Sequence, residues 1–311
     1  MHSKKIGILE PNYFSEQAIK ILREVGSVWL FDGKNINPFL QDKEVIFVRL
    51  KYYIDNSFLD NAPLLKYICS PTTGLTHLDL DEVKKKDIKI ISLKGESEFL
   101  YKIRATPEHL FGLTLALLRN YKRCFLNKEN RMWDRYNYIG GELFNNKIGI
   151  IGFGRVGKIL AKYFECFGTD VYFYDSNKEI NEEFSARRIN SIEELISSVN
   201  IILLCASYEN ERIISRHHID MLEGKFFING ARGELIDEDY LIKKIKSNSL
   251  KGAAIDVISD ESKSKNNLNK FLELVKGRNF ILTPHIAGAT FESLEKTEEF
   301  VALKLIEALH S

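Results

Sequence analysis

Residues 147–164 read KIGIIGFGRVGKILAKYF, and this stretch decides the fold. A β-rich run over 147–151 leads directly into Gly152-Phe153-Gly154-Arg155-Val156-Gly157, and a helical pattern follows. The glycines divide the work: Gly152 permits the tight turn, Gly154 lets a pyrophosphate approach the backbone, and Gly157 lets helix pack on strand. Free N–H groups and the positive end of the dipole at the helix start favour a phosphate there. The next run, VYFYD at 171–175, ends in Asp175, 18 residues past Gly157. An acid there holds adenosine ribose hydroxyls and repels a 2′-phosphate, and Ser176-Asn177 behind it supplies no arginine to hold one. A glycine turn alone is common; strand, fingerprint, helix and acid in this order point to NAD.

Outward from this centre, β-rich and helical runs alternate. Downstream strands are expected at 148–153, 171–174, 201–205, 226–229, 252–257 and 280–283, with helices near 156–167, 192–198, 237–246 and 268–275. Upstream, strands are expected at 6–9, 28–31, 45–48, 67–69 and 88–93, with helices at 16–24 and 79–86. Strand–helix alternation implies parallel sheets. Between the two series, Thr106-Pro107-Glu108 reads as a helix start, with Thr106 as the cap and Pro107 at the first helical position. The apolar run HLFGLTLALLRN at 109–120 then suits a helix buried on most sides, as between two domains. The aromatic, charged stretch at 129–146 reads as a surface loop, its aromatics around Trp133 as packing, and 259–269 as a polar flexible loop. A last helix is expected at 291–310.

The fold expected is α/β: two doubly wound parallel-sheet domains, a Rossmann dinucleotide-binding domain inserted in a flavodoxin-like substrate domain. Residues 1–102, completed by 289–311, form the substrate domain, and 103–288 form the NAD-binding domain. The chain crosses near Ile103 and near Gly288, and these crossings read as the hinge of a closing motion.

At 311 residues with 44% hydrophobic and 28% charged content, the chain suits two globular domains. Forty-four lysines and arginines against 43 acids give a net charge of +1, which offers no attraction to nucleic acid or an acidic membrane. The four cysteines have no metal-ligand spacing, and no signal-peptide core or membrane-length apolar run is present, so a cytoplasmic setting and no metal are expected.

Three further segments carry side chains suited to hydride chemistry: FFINGARG at 226–233, GAAIDVISDE at 252–261 and ILTPHIAGAT at 281–290. Each lies at a strand end, and the carboxyl ends of a doubly wound sheet converge on the ligand crevice. Arg232, Asp256, Glu261 and His285 are thereby expected to meet. Interconverting an alcohol and a ketone needs a proton donor and acceptor near neutral pH, which suits histidine, with a carboxylate to orient it. Arginine grips a carboxylate with paired donors. Singly, Arg232 also reads as a turn salt bridge, Glu261 as a solvated acid and His285 as a core histidine.

Over nearly its whole length the chain resembles the D-isomer-specific 2-hydroxyacid dehydrogenase family. The matching stretches are TTGLTHLDL (72–80), ATPEHLFGLTLALLR (105–119), GIIGFGRVG (149–157), NGARGELIDEDYL (229–241), AAIDV (253–257) with the later Glu261, and TPHIAGAT (283–290). The resemblance implies hydride transfer between NAD(H) and a small D-2-hydroxy or 2-oxo acid. It implies Arg232 on the substrate carboxylate and carbonyl, His285 as acid–base and Glu261 as its partner. Asp256 would face the nicotinamide carboxamide, Arg155 and Val156 the pyrophosphate, and Asp175 the ribose. Leu204, Cys205 and Asn210 fall at cofactor-contacting loop positions. Gly74 and Leu75 would offer backbone N–H groups to the substrate carboxylate. A homodimer joined through the cofactor domain is implied as well. The chain departs from the family with Thr76-His77 in place of Asp-Asn, and with Cys205 and Ser262 in place of prolines. His77 and His109 read as structural. An NAD(H)-sensing binding protein of the same fold without turnover is the alternative. Arg49 and Lys51, ending VIFVRLK at 45–51, read equally as a site for an anionic or phosphorylated tail or as solvated surface charges.

Overall fold

The computed structural model describes residues 3–126, 133, 135–180, 185–261 and 267–310. The chain divides into two compact units: unit 1 comprises Met1–Ile103 with Ala289–Ser311, and unit 2 is Arg104–Gly288.

Unit 1 is built from β1 (Lys4–Ile8), α1 (Glu16–Arg23), β2 (Gly26–Leu30), α2 (Ile36–Leu40), β3 (Val45–Phe47), α3 (Asn56–Asp60), β4 (Tyr67–Ser70), α4 (Leu80–Lys85), β5 (Lys89–Ser92) and α5 (Ser97–Tyr101). Its five strands are all parallel in the order β2-β1-β3-β4-β5, with Ile6 opposite both Val28 and Val45. Side chains alternate between the sheet's faces. Ile6, Ile8, Val45, Phe47 and Cys69 meet Ala18 and Leu22 of α1 and residues of the C-terminal helix on one face. Ile46, Val48 and Ile68 meet Leu40, Leu59 and Val83 on the other.

Unit 2 continues with α6 (Ala105–Leu118), α7 (Tyr121–Leu126), β6 (Lys147–Ile151), α8 (Arg155–Cys166), β7 (Asp170–Tyr174), β8 (Arg187–Arg188), α9 (Ile192–Ser198), β9 (Ile201–Leu204), α10 (Arg216–Asp220), β10 (Phe226–Asn229), α11 (Glu238–Lys246), β11 (Gly252–Ile255), α12 (Leu268–Leu274) and β12 (Phe280–Leu282). Seven parallel strands run in the order β12-β11-β10-β9-β6-β7-β8. Being covered on both faces, β9 is apolar at every position: Ile201 and Leu203 face α6 and α8, while Ile202 and Leu204 face the core with α9 and α11. The last helix, α13 (Phe291–His310), returns to unit 1 and places Val301, Ala302 and Leu305 in its core.

Two expectations need correction. Helix α6 begins at Ala105 behind Arg104, with no side-chain cap, so Thr106 is not the cap and Pro107 sits third in the helix. Proline is tolerated there because first-turn N–H groups have no helical partner. Trp133 does not pack: it is 99% exposed. The short elements α2, α3, α5, α7, α10 and β8 are too brief for periodicity to reveal. Ser262 lies outside the described residues, as do parts of the two stretches read as loops. Among the described residues, no helix is long and apolar enough to cross a membrane, and no cluster could hold a metal ion.

Candidate functional site

At the β6–α8 turn the three glycines have different constraints. Gly152 has φ +94, and a Cβ there would fall 2.4 Å from the backbone nitrogen of Ala206. A Cβ on Gly157 would meet the Gly152 carbonyl oxygen at 2.3 Å. Gly154, the N-cap residue of α8, has nothing within 4 Å of its missing Cβ. Two glycines are thus required by the protein's own packing, and the second leaves space beside a helix N-terminus. Arg155 and Val156 open the helix and are half-buried. Burial, and then the like charge of the nearby Arg104, lower the Arg155 pKa.

Asp175 follows β7. Its carboxylate accepts from the Phe153 N–H at 2.7 Å and the Asn177 N–H at 2.9 Å, which fixes it beside the glycine turn. Sequence reading missed Arg188 of β8, which donates to the carbonyls of Asp175, Asn177 and Ile180 and so ties down the loop behind the acid. Leu204 ends β9, and Cys205 N–H donates to Ile151 O at 2.7 Å. Burial pushes the Cys205 thiol up to about 12, so it stays protonated. Asn210 lies further along this loop, exposed, with φ +63, a conformation asparagine tolerates.

The chemistry-bearing residues follow β10, β11 and β12. Asn229 holds the turn carrying Arg232, accepting from Ala231 N–H at 3.0 Å and donating to Arg232 O at 3.1 Å. Burial lowers the Arg232 pKa, and the nearby Glu261 and Glu234 oppose it. Glu261 binds its own turn through Ile258 N–H at 3.0 Å, and its other oxygen lies 2.5 Å from His285 Nδ1. His285 has φ +52, so its ring is presented from a left-handed turn.

The cause of that turn is Asp256, which is 1% exposed. Its carboxylate accepts from Thr283 Oγ1 at 2.5 Å, Ile286 N–H at 3.0 Å and Ala287 N–H at 3.0 Å, and its carbonyl accepts from His285 N–H at 2.8 Å. His109 of α6 reaches the same place, with Nε2 3.2 Å from Thr283 Oγ1 and 3.4 Å from Asp256 Oδ1. Burial alone would raise the Asp256 carboxyl; the hydrogen bonds from His109, Thr283, Ala287 and Ile286 outweigh it and hold the group below the usual carboxylate range. Sequence reasoning also missed two acids, Glu234 in the turn before α11 and Glu238 at its start. Glu238 accepts from Ser259 N–H at 2.8 Å and from Asn267 Nδ2 at 2.9 Å, and Glu234 accepts from Asp260 N–H at 3.2 Å. They tie the Arg232 segment to the loop that carries Glu261. The only sequence signal was their place around Asp237, the N-cap of α11.

In unit 1, Gly74 and Leu75 lie half-buried in the loop after β4. Thr72 Oγ1 donates to Gly74 O at 2.9 Å, and Ser70 Oγ meets both Thr72 Oγ1 at 2.9 Å and His77 Nε2 at 3.1 Å. His77 is therefore part of the loop's internal bonding.

A glycine turn with room at its second position, a helix N-terminus and an anchored acid one strand away define unit 2 as a dinucleotide-binding unit. These residues fit NAD. The sequence profile of "D-isomer specific 2-hydroxyacid dehydrogenase, NAD binding domain" matches residues 111–287, and the chain belongs to that family. It is 29% identical to a D-3-phosphoglycerate dehydrogenase of Methanocaldococcus jannaschii, over 98% of this chain and 57% of that protein. The chain thus spans little more than half the length of that relative. A glyoxylate reductase of Thermofilum pendens is 27% identical over 94% of this chain and 88% of its own. Among solved structures, D-lactate dehydrogenase of Aquifex aeolicus with NAD and lactic acid matches with TM-score 0.80 and 27% identity, covering 98% of this chain and 95% of the other.

Proposed function

We propose that the chain is an NAD-dependent oxidoreductase that interconverts a small D-2-hydroxy acid and its 2-oxo acid. The observation that carries this reading is the 2.5 Å contact of Glu261 Oε2 with His285 Nδ1 on adjoining strand-end loops. With Nδ1 bound to a carboxylate, Nε2 is the ring atom that exchanges a proton with the substrate oxygen. NAD, when bound, supplies or accepts the hydride. Arg232 binds the substrate carboxylate and polarises the carbonyl through its planar donors, in a buried setting where charge interactions are stronger. Asp256 and His109 act through the turn, holding His285 in its left-handed conformation. Gly74 and Leu75 of unit 1 contribute backbone N–H groups to the substrate carboxylate. Leu204, Cys205 and Asn210 border the cofactor. The D-3-phosphoglycerate dehydrogenase, glyoxylate reductase and D-lactate dehydrogenase relatives support a 2-oxo acid as the substrate class.

A homodimer through unit 2 belongs to the same reading, supported by apolar surface at Phe125 (77% exposed), Trp133 and Tyr136 (78%). Four free cysteines support a reducing, cytoplasmic setting.

The test is NADH oxidation by the purified chain across a panel of 2-oxo acids, beside His285→Ala. Turnover of at least one acid is expected, with a loss of about 10³-fold in kcat/KM for the variant while NADH binding is retained. NADH binding without turnover of any acid would leave the family's fold as a sensor and end this reading.

A further inference from the structure

We infer that Glu238 is a positioning residue for the proton-transfer pair: by binding the Ser259 N–H it keeps the Glu261 carboxylate on His285. The inference rests on the oxidoreductase reading and deepens it, and every residue it uses belongs to unit 2. Residues 258–260 follow β11 and present three successive backbone N–H groups, each taken by a different carboxylate. Glu261 Oε1 accepts Ile258 N–H at 3.0 Å, Glu238 Oε1 accepts Ser259 N–H at 2.8 Å, and Glu234 Oε1 accepts Asp260 N–H at 3.2 Å. Asp260 has φ +55, so the run ends in a left-handed residue. Successive N–H groups in such a turn form a concavity that attracts anions. Here the protein supplies the anions itself, one to each donor. Glu261 takes the first, and its other oxygen lies 2.5 Å from His285 Nδ1.

Glu238 is fixed for this task by its surroundings. It is buried at the first position of α11, behind the N-cap Asp237. Its second oxygen accepts from Nδ2 of Asn267, the N-cap residue of α12, at 2.9 Å. Gly233 lets the turn come this close: a Cβ there would fall 2.1 Å from the Ser259 nitrogen and 2.6 Å from Glu238 Oε1. Burial pushes the Glu238 pKa up despite the bonds from Asn267 and Ser259, and the like charge of Glu234 adds to the rise. A carboxylate is thus held in a costly place, and its donors are what retain it there. Removing it would leave the Ser259 N–H without its acceptor, next to the Ile258 N–H that Glu261 already binds. A partly buried donor left unpaired is unfavourable, and an anion two residues away is the acceptor at hand. Glu261 would then turn toward Ser259 and leave His285 without the carboxylate that fixes its Nδ1.

The experiment measures NADH oxidation by the full chain with its best 2-oxo acid and, separately, the ring-nitrogen NMR signals of His285, which need no turnover. Glu238→Ala is expected to lower kcat about 10-fold or more, with the KM for the acid and the Kd for NADH within about 3-fold. Glu238→Gln keeps an oxygen for the Ser259 N–H, and its kcat is expected to stay within about 3-fold of wild type. In a chain already carrying Glu261→Gln, adding Glu238→Ala is expected to cost less than about 2-fold, because no carboxylate is left to misplace. The His285 ring signals of Glu238→Ala are expected to resemble those of Glu261→Gln, and those of Glu238→Gln to resemble wild type. Should Glu238→Ala fail to fold, Glu238→Asp, which keeps the charge and shortens the reach, carries the same expectations. Wild-type kcat or wild-type ring signals in Glu238→Ala overturn the inference. Additive losses in the double variant, or equal losses in the Gln and Ala variants, overturn it as well. The expected pattern of ring signals in a chain that turns over no 2-oxo acid would instead remove the enzyme reading and keep the positioning role.

Discussion

The two parallel sheets of this chain end in edges built from similar parts and used in opposite ways. In unit 2 the β6–α8 turn has glycine where a side chain would fill the space, and Arg232 is half-buried and donates to its own neighbour, Ala231 O, at 2.7 Å. In unit 1 the matching place after β1 holds Glu10, and Arg49 is clasped by Glu298. A strand end becomes an anion site when the protein leaves its donors to the ligand, and it becomes framework when the protein supplies the anion. Fold alone does not choose between these outcomes.

The largest expected effect exchanges the two arginines' roles. Arg232→Lys keeps the charge but loses the planar fork, and kcat/KM for the best 2-oxo acid is expected to fall about 100-fold, near 2.7 kcal/mol, with the melting temperature unchanged. Arg49→Lys is expected to do the reverse, lowering the melting temperature by several degrees with kcat/KM within about 3-fold. Matching effects from the two variants would dissolve the contrast between the edges.

A smaller effect separates glycines kept for the ligand from those kept for the fold. Gly154→Ala is expected to weaken NADH binding about 10-fold, some 1.4 kcal/mol by titration, without moving the melting temperature of the apo chain. Gly152→Ala places a Cβ against Ala206 at positive φ and is expected to lower that temperature by several degrees. Equal destabilisation by both would show that the turn is held together by packing alone.

The smallest effect concerns two buried carboxylates shifted in opposite directions. Asp256 is held below the usual range, so its contribution is present above the unfolded pKa and is lost as pH falls through the folded value. Burial places Glu298 above the usual range, so ionising it on folding carries a penalty that grows as pH rises from the unfolded pKa to the folded one. Melting temperatures taken from about pH 2 to 8 are expected to show Asp256→Asn worsening relative to wild type as pH rises to the usual aspartate value of 3.8. Glu298→Gln is expected to improve relative to wild type as pH rises from the usual glutamate value of 4.5. Slopes of the same sign would show that the two sites do not differ in the balance of donors and burial.

How far the sequence speaks follows the range of the interactions. The β6–α8 fingerprint and the fully apolar β9 are local patterns, and they declare the sheet directly. Asp175 is one strand away and was also legible. The Glu261–His285 contact joins loops 24 residues apart and was anticipated through the family resemblance. The support beneath His285 was not, because His109 lies 174 residues from Thr283 and nothing in the pattern of α6 marks its partner. Nothing in sequence marks Glu238 and Glu234, since their bonds to the 258–261 turn exist only in the folded chain. Neither reading of Arg49 foresees a largely buried ion pair, because Glu298, its partner, is 249 residues away.

That same separation has a consequence for synthesis. A chain made from its N-terminus releases all of residues 104–288 before α13 emerges, so unit 2 has its complete core first. Unit 1, begun earlier, waits for Val301, Ala302 and Leu305 to cover α1 and its sheet, and for Glu298 to reach Ser15 across 283 residues. Until then its apolar face is open to water and to other chains, and Arg49 has no Glu298 to hold it. The nascent polypeptide thus assembles its nucleotide-binding unit before unit 1 is closed, with α13 serving as the latch.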